Sequence, residues 1–169
     1  MSQKVLPFGL TESPATCEPG LVGTRYFEFS SGKEFVLCKN TSAAALNPGV
    51  AVTLETASSH AVDLAIASTN EFIFGVVSAG NYTGTTIAVN DYFWVQTKGQ
   101  CYVSKGLATA SAAIAVNDVL CHRSLGAFYK RTGTIGAKSL TEYLRGGYCH
   151  ALSAVASSAT TRVLAYLRF

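Results

Sequence analysis

Charged residues are scarce in this chain of 169 residues. Only 14% are Asp, Glu, Lys or Arg, against about 25% in an average soluble protein, and 13 basic against 10 acidic residues give a net charge of +3. With 49% hydrophobic residues, the composition excludes an intrinsically disordered chain as the main state. A surface built from Ser, Thr, Asn and Ala loses little hydration on burial, which favours contact with other subunits. A modestly charged monomer is the alternative that composition leaves open.

Long apolar runs are also missing. A membrane span needs about 18 apolar residues, and Gly, Ser, Thr or Asn interrupts each run well before that length. The first residues, MSQKVLPFGLTESP, lack the apolar core of a signal peptide, so we expect no membrane partner and maturation in a reducing cytosol. The five cysteines are odd in number and form no CxxC motif. We therefore expect them to be free and buried as small apolar side chains.

Signatures of catalysis and of metal binding are absent from the sequence. There is no GxSxG motif, and His60 lies in a polar loop where we expect a solvated side chain. In the pairs Cys121-His122 and Cys149-His150, neighbouring side chains on a strand would point to opposite faces, with Cys inward and His outward. No ligand pairs have the short non-adjacent spacing of a zinc site. We therefore expect that the protein is not an enzyme and that it has no catalytic residue, no cofactor and no metal.

Charge is divided unevenly along the chain. Residues 1–119 hold six basic and nine acidic side chains, whereas residues 120–169 hold seven basic side chains and one acid. A basic end could meet an acidic partner surface or nucleic acid. Because these basic residues are scattered and not interleaved with aromatic residues, we expect no nucleic-acid recognition.

Short apolar stretches separated by turn signals about every ten residues predict an all-β fold, a β-sandwich or a β-barrel of short antiparallel strands. Two hairpins are predicted, one joining residues 25–29 to 34–39 and one joining 92–97 to 100–103 through Lys98-Gly99. The further predicted strands are residues 50–54, 71–77, 114–116, 127–130, 148–155 and 162–169.

Three of the four prolines fall within the first 19 residues. Since proline lacks a backbone donor and favours extended neighbours, residues 1–22 are predicted to form an extended N-terminal arm before a single β domain, 23–169. The arm is too apolar for a freely solvated tail, so we expect it to lie on its own domain or on a neighbour. Its predicted contact residues are Val5, Leu6, Phe8 and Leu10. One short helix at most, about residues 140–145, is indicated by a capping box that starts at Ser139.

A five-residue phrase occurs twice. Residues 87–91, Ile-Ala-Val-Asn-Asp, recur as residues 114–118, and residues 46–50 are a looser third copy. In each copy a polar turn directly precedes an apolar stretch, and Asn and Asp tolerate turn angles. We interpret the phrase as one turn-to-strand step that is used repeatedly, the alternative being chance similarity in a β-rich chain.

Aromatic residues are concentrated around Tyr92, Phe93 and Trp94. On a strand Tyr92 and Trp94 would share one face and Phe93 would occupy the other, so both faces are apolar. One face is predicted to fill the core, and the other must be covered by a second sheet, a loop or another subunit. The terminal Phe169 is similarly suited to docking.

Several of these motifs resemble the small capsid decoration (cement) proteins of tailed bacteriophages. They are residues 50–52 after a Pro-Gly turn, 74–80 (Phe-Gly-Val-Val-Ser-Ala-Gly), Asn90-Asp91 leading into 92–99 with its WVQTKG segment, and the closing residues 163–167. The resemblance covers about residues 45–169 and excludes the arm and the first hairpin.

The resemblance implies a non-enzymatic virion protein, made in the host cytoplasm and located on the outer surface of an icosahedral head. It would bind the major capsid protein, self-associate as a trimer, and stabilise contacts between capsid subunits, with Val5, Leu6, Phe8, Leu10 and Phe169 as interface residues. One alternative is a head fibre or a tail-associated virion protein that binds a host receptor, and another is a small hydrolase on a β scaffold.

Overall fold

The structure is a computed structural model that describes residues 21–56, 60–64, 73–78, 86–105, 113–122, 126–130, 148–156 and 162–169. Within these ranges it contains ten strands and no α-helix, and the helix predicted near residues 140–145 lies outside them. The strands are β1 (Arg25–Glu28), β2 (Lys33–Asn40), β3 (Ala51–Thr56), β4 (Ala61–Leu64), β5 (Gly75–Val77), β6 (Tyr92–Ser104), β7 (Leu120–His122), β8 (Phe128–Lys130), β9 (Tyr148–Ala151) and β10 (Arg162–Arg168).

Five of the strands close into a barrel in the order β2-β4-β3-β5-β6, because β6 also pairs with β2. Strand β1 extends the sheet beyond β2, strands β10 and β9 extend it beyond β6, and β7 and β8 form a separate two-stranded sheet. The predicted all-β fold is thus confirmed. One pairing between these strands departs from the antiparallel expectation, since β2 and β4 run parallel, with Lys39 opposite Ala61.

The first predicted hairpin is confirmed. Strands β1 and β2 pair antiparallel from Arg25 opposite Val36 to Glu28 opposite Lys33. The backbone N–H groups of Ser31 and Gly32 both donate to the carbonyl of Glu28, which closes the turn.

The second predicted hairpin is wrong, because β6 is one continuous strand of 13 residues. Its first half pairs with β2 and its second half with β10. Gly99 has a φ of 89°, which bends the strand without reversing it. The buried amide of Gln96 donates to the carbonyls of Lys98 and Gln100, both at 2.9 Å, and so holds the bend from both sides.

Strands β3 and β5 form a wall between two hydrophobic cores, and β6 borders one core with its first half and the other with its second half. The barrel interior holds Val36, Cys38, Leu46, Val50, Val52, Val62, Val77, Ile87, Phe93 and Val95. The second core lies between this wall and strands β7 to β10, and it includes Ala51, Val76, Cys101, Val103, Leu120, Phe128, Cys149, Ala151, Val163, Ala165 and Leu167. Neighbouring residues such as Val76 and Val77 therefore point into different cores, as alternation along a strand requires.

The repeated phrase forms the same turn in each copy. Backbone bonds close residues 88–91 and 115–118 at 3.2 Å each and residues 47–50 at 3.4 Å. The third residue of each turn has a positive φ, 70° at Asn90 and Asn117 and 91° at Gly49, as a type II turn requires. The interpretation of a repeated turn is confirmed. The predicted strand at residues 114–116 is wrong beyond Ile114, because Ala115 and Val116 belong to the turn.

Each turn docks on a strand through the same pair of backbone hydrogen bonds. The third turn residue donates its N–H to the carbonyl of one strand residue, and the N–H of that strand residue donates to the carbonyl of the fourth turn residue. The bonded sets are Asn40 with Asn90 and Asp91, Ala151 with Asn117 and Asp118, and Val77 with Gly49 and Val50, all at 2.7–2.9 Å.

Asn40 adds side-chain bonds to one of these joints. It is fully buried, and its Nδ2 donates to the carbonyls of Ile87 at 3.2 Å and Ala88 at 3.0 Å. Its Oδ1 accepts from the N–H of Ser42 at 3.0 Å. The Asn-Thr-Ser sequence at this point is thus used to satisfy buried backbone groups.

Candidate functional site

The predicted interface residues have separate outcomes. Val5, Leu6, Phe8 and Leu10 lie outside the described residues, as do residues 1–20 of the predicted arm. Phe169 is described: its ring is half-buried against the second core and its N–H donates to the carbonyl of Thr97 at 3.1 Å. Phe169 is therefore anchored to its own domain, and its role in docking stays a prediction.

The aromatic face of β6 is covered by the chain itself. Trp94 is buried with Phe35 and Leu37, whereas Phe93 points into the barrel, which confirms the predicted division of faces. The cover comes from β1, where the ring of Tyr26 lies 6.4 Å from that of Trp94, and from Leu21. Among the described residues the cover is thus a neighbouring strand of the same sheet, which was not one of the predicted covers, together with the segment that precedes it.

The outer face of β6, β10 and β9 carries an exposed pair of tyrosines, and we call it the tyrosine face. Tyr102 is 52% exposed and Tyr166 is 40% exposed. Cross-strand register places Tyr102 beside Leu164, and the next row joins Gln100, Tyr166 and His150. The tyrosines are thus diagonal neighbours across two paired strands, close enough for contact between long side chains.

The tyrosine face is rigidly supported. Along β10 the residues alternate between exposed or half-buried positions and fully buried ones. The inward residues Val163, Ala165 and Leu167 belong to the second core, together with Cys101 and Val103 of β6. Because the inward side chains are locked by packing, the outward side chains project from a fixed backbone.

Arginines flank the tyrosines at both ends of β10. Arg162 lies opposite Ser104, and Arg168 lies opposite Lys98. Strands β6, β9 and β10 contain no Asp or Glu. Among the described residues, ion pairs join Arg25 to Glu34 and Lys130 to Asp118, and neither arginine of β10 forms an ion pair with a described residue.

Two smaller apolar features are exposed elsewhere. At the tip of the β1–β2 hairpin, Phe29 is 80% exposed and its ring meets that of Phe27 edge-on with centroids 5.0 Å apart. Val89 and Val116 are exposed at the second position of two of the repeated turns. Each feature is small, and single exposed apolar residues are common on protein surfaces.

The described cysteines are reduced, and three of the four are buried. Burial raises the pKa of Cys101 to about 12, and it raises the pKa values of Cys38 and Cys149 as well. Cys149 points into the second core and His150 outward, as predicted, whereas Cys121 is only half-buried. Cys17 lies outside the described residues. Buried thiols of this kind are poor nucleophiles, since the thiolate is the reactive form.

The prediction for His60 is wrong. Its side chain is half-buried, its ring meets that of Phe74 edge-on with centroids 6.5 Å apart, and its atoms pack closely against Gly23. Among the described residues no group of three or more His, Cys, Asp or Glu could hold a metal ion. No described helix is long and apolar enough to cross a membrane.

The tyrosine face was not predicted, although the sequence contains the alternating pattern that encodes it. The segment Arg162-Val-Leu-Ala-Tyr-Leu-Arg168 alternates with period two, so its arginines and Tyr166 share one face. The predicted hairpin at Lys98-Gly99 paired residues 100–103 with residues 92–97, whereas the structure pairs them with β10.

Comparison with known proteins finds a similar fold but no matching family. No family model and no curated protein matches the sequence. Among solved structures, a chain from the capsid of Myoviridae phage XM1 superposes with a TM-score of 0.54. The match covers 99% of this chain and 97% of that one at 17% sequence identity, so the likeness is one of fold along nearly the whole length of both chains.

Proposed function

We propose that this chain is a capsid decoration protein that binds the outer surface of an icosahedral phage head and stabilises contacts between major capsid protein subunits. The observation that carries the proposal is the nearly end-to-end fold likeness to a chain from a phage capsid. The motif resemblance over about residues 45–169 supports the same assignment independently, because it was drawn from short sequence patterns and not from the fold.

The physical role follows from adding contacts across a joint in the shell. A protein that contacts two neighbouring capsid subunits buries surface that is lost if the shell opens, so it stabilises the closed shell by linkage. A typical stable contact buries about 1,600 Å² in total, and an oligomer that makes several contacts at once gains further through effective concentration. A closed barrel with two packed cores suits this role, because such a body is ordered before it binds and loses little entropy on docking.

The proposal includes self-association as a trimer and contact through the predicted arm. Apolar side chains in a segment rich in proline bind with a small loss of backbone entropy. The arm residues proposed for contact with the capsid or a neighbouring copy are Val5, Leu6, Phe8 and Leu10. Phe169, which is half-buried at the end of β10, would contribute only its exposed edge.

The deciding experiment mixes the purified protein with expanded empty heads of its phage that lack it. Sedimentation of the heads measures the amount bound per head, and calorimetry measures their melting temperature. Saturable binding with a raised melting temperature is expected. Absence of binding at micromolar concentration would overturn the proposal, and binding to host cells instead would favour a receptor-binding virion protein.

A full-length variant tests the arm within the same assay. Replacing Leu6, Phe8 and Leu10 by serine should weaken head binding at least about tenfold, since each buried apolar side chain contributes about 1.5–3 kcal/mol. The matched control replaces Thr11 by Ala and Glu12 by Gln in the same segment and should bind as the parent does. Equal affinity of the two variants would refute the contact by the arm.

A further inference from the structure

We propose that the tyrosine face docks on an acidic protein surface that the capsid presents in many copies. This inference rests on the proposed function and adds which surface of the chain makes contact and what chemistry the partner offers. The face is the outer side of β6, β10 and β9, with Tyr102 and Tyr166 at its centre and Arg162 and Arg168 at its ends.

Charge identifies the partner as acidic. Arg162 and Arg168 are exposed and have no ion pair among the described residues, and the three strands of the face contain no acid. Arg168 also lies directly opposite Lys98, and like charges across a strand pair are destabilising. The nearest acid in the register, Glu34 opposite Lys98, is already paired with Arg25. Carboxylates on a partner would relieve this uncompensated charge.

The central residues favour a protein as the partner. Tyr and Arg are enriched among the residues that dominate binding energy at protein interfaces, because they bury large areas with few rotatable bonds or with planar donors. Tyr102 and Tyr166 project from a backbone fixed by the second core, so little conformational entropy is lost when they are covered.

Nucleic acid fits the same face less well. Arg162 and Arg168 are six residues apart on one strand, about 20 Å at the usual strand rise, with Leu164 and Tyr166 between them. So sparse a set of cations neutralises few phosphates, whereas affinity for nucleic acid depends on many such contacts.

The size of the face explains why the partner must be present in many copies. Three strands over six residue steps cover roughly 300 Å², well below the about 800 Å² that each partner contributes to a standard stable interface. One such contact is weak alone. It becomes strong when several faces of one oligomer engage a repeating surface together.

The test uses the full-length protein and expanded empty heads that lack it. One variant carries Arg162→Gln and Arg168→Gln, a second carries Tyr102→Ala and Tyr166→Ala, and a control removes a charge away from the face through Lys39→Gln. Thermal unfolding verifies that each variant folds. We expect at least about tenfold weaker head binding for the first two variants and parental binding for the control. Raising salt from about 50 mM to about 300 mM should weaken the parent more than the arginine variant.

Each outcome decides between the proposals. Head binding by the parent with unchanged affinity in both face variants would overturn the role of the face and leave the decoration function standing. Failure of the parent to bind heads would overturn both proposals. A 20-base-pair DNA duplex serves as the second probe. If the arginine variant lost affinity for the duplex but not for heads, the face would be a polyanion site, contrary to this proposal.

Discussion

Asn90 and Asn117 hold the same backbone conformation, with a φ of 70° at the third position of two turns that are 27 residues apart in sequence. Each donates its backbone N–H to a carbonyl on a strand, that of Asn40 in one case and that of Ala151 in the other. The two copies thus join loops to different parts of the sheet by one mechanism. Since such turns fix where the following strand starts, they help to set the register of β6 and the position of the second core.

The positive φ of Asn117 predicts a selective response to substitution. Asn117→Val should lower the free energy of unfolding by about 1–2 kcal/mol, because a β-branched residue is strained in the left-handed region. Asn117→Gly should change it by less than about 0.5 kcal/mol, since glycine adopts this φ without strain and the Asn117 side chain is exposed. Urea unfolding of the three proteins measures the difference. Equal losses in both variants would contradict the turn assignment.

Gly99 offers a second test, aimed at the bend in β6. A Cβ at this position would lie 3.1 Å from the backbone of both Gly32 and Lys33, and the φ of 89° adds strain. Gly99→Ala should therefore lower the free energy of unfolding by about 2–4 kcal/mol.

Gly32→Ala is the matched control for the bend. Gly32 also has a positive φ, 66°, but a Cβ there would meet nothing within 4 Å. Gly32→Ala should therefore lower the free energy of unfolding only by the cost of the positive φ, about 1 kcal/mol. The difference between the two variants measures the close approach of the β1–β2 turn to β6, and equal costs would show that no such approach exists in solution.

Gly99 shows which parts of the fold the sequence predicts and which it does not. The hairpin of β1 and β2 and the repeated turns were predictable, because all of their determinants lie within a few residues of each other. The dipeptide Lys98-Gly99 suits a tight turn as well as it suits a bend within a continuous strand. The choice depends on β10, which follows about 60 residues later and pairs with the second half of β6. Closure of the barrel, through the pairing of β2 with β6, is likewise set by long-range contacts that no local pattern encodes.

Asp118 predicts a pH dependence of stability. The N–H of Ala115 donates to its carboxylate at 2.7 Å and Lys130 lies 3.0 Å from the other oxygen, and both hold the pKa of Asp118 below its ordinary value of 3.8. A carboxylate whose pKa is lower in the folded state contributes stability above the unfolded pKa and loses it as pH falls through the folded pKa.

The measurement compares the parent with Asp118→Ala between about pH 7 and about pH 2.5. The difference in unfolding free energy should be constant at neutral pH and shrink below about pH 4. Lys130→Gln serves as the control: it keeps the Ala115 bond, which is the larger cause, so most of the pH dependence should persist in it. A difference that stays flat down to the lowest pH would rule out the bonded carboxylate.

The cysteines predict an order of chemical labelling. Burial raises the pKa of Cys101 to about 12 and raises those of Cys38 and Cys149, so few thiolates form there in the folded protein, whereas Cys121 is only half-buried. In a Cys17→Ser background, a thiol reagent at about pH 8 should modify Cys121 first. The three buried thiols should react only at the rate at which the protein opens.

Peptide mapping after short exposure identifies the modified site, and adding Cys121→Ser should remove the fast phase. Denaturant should then release three further equivalents together, because Cys38 lies in the barrel while Cys101 and Cys149 lie in the second core. If Cys38 reacted at a different denaturant concentration from the other two, the two cores would unfold separately. Simultaneous release is expected, because β3 and β5 line both cores and β6 runs along both, so neither core can open without exposing the other.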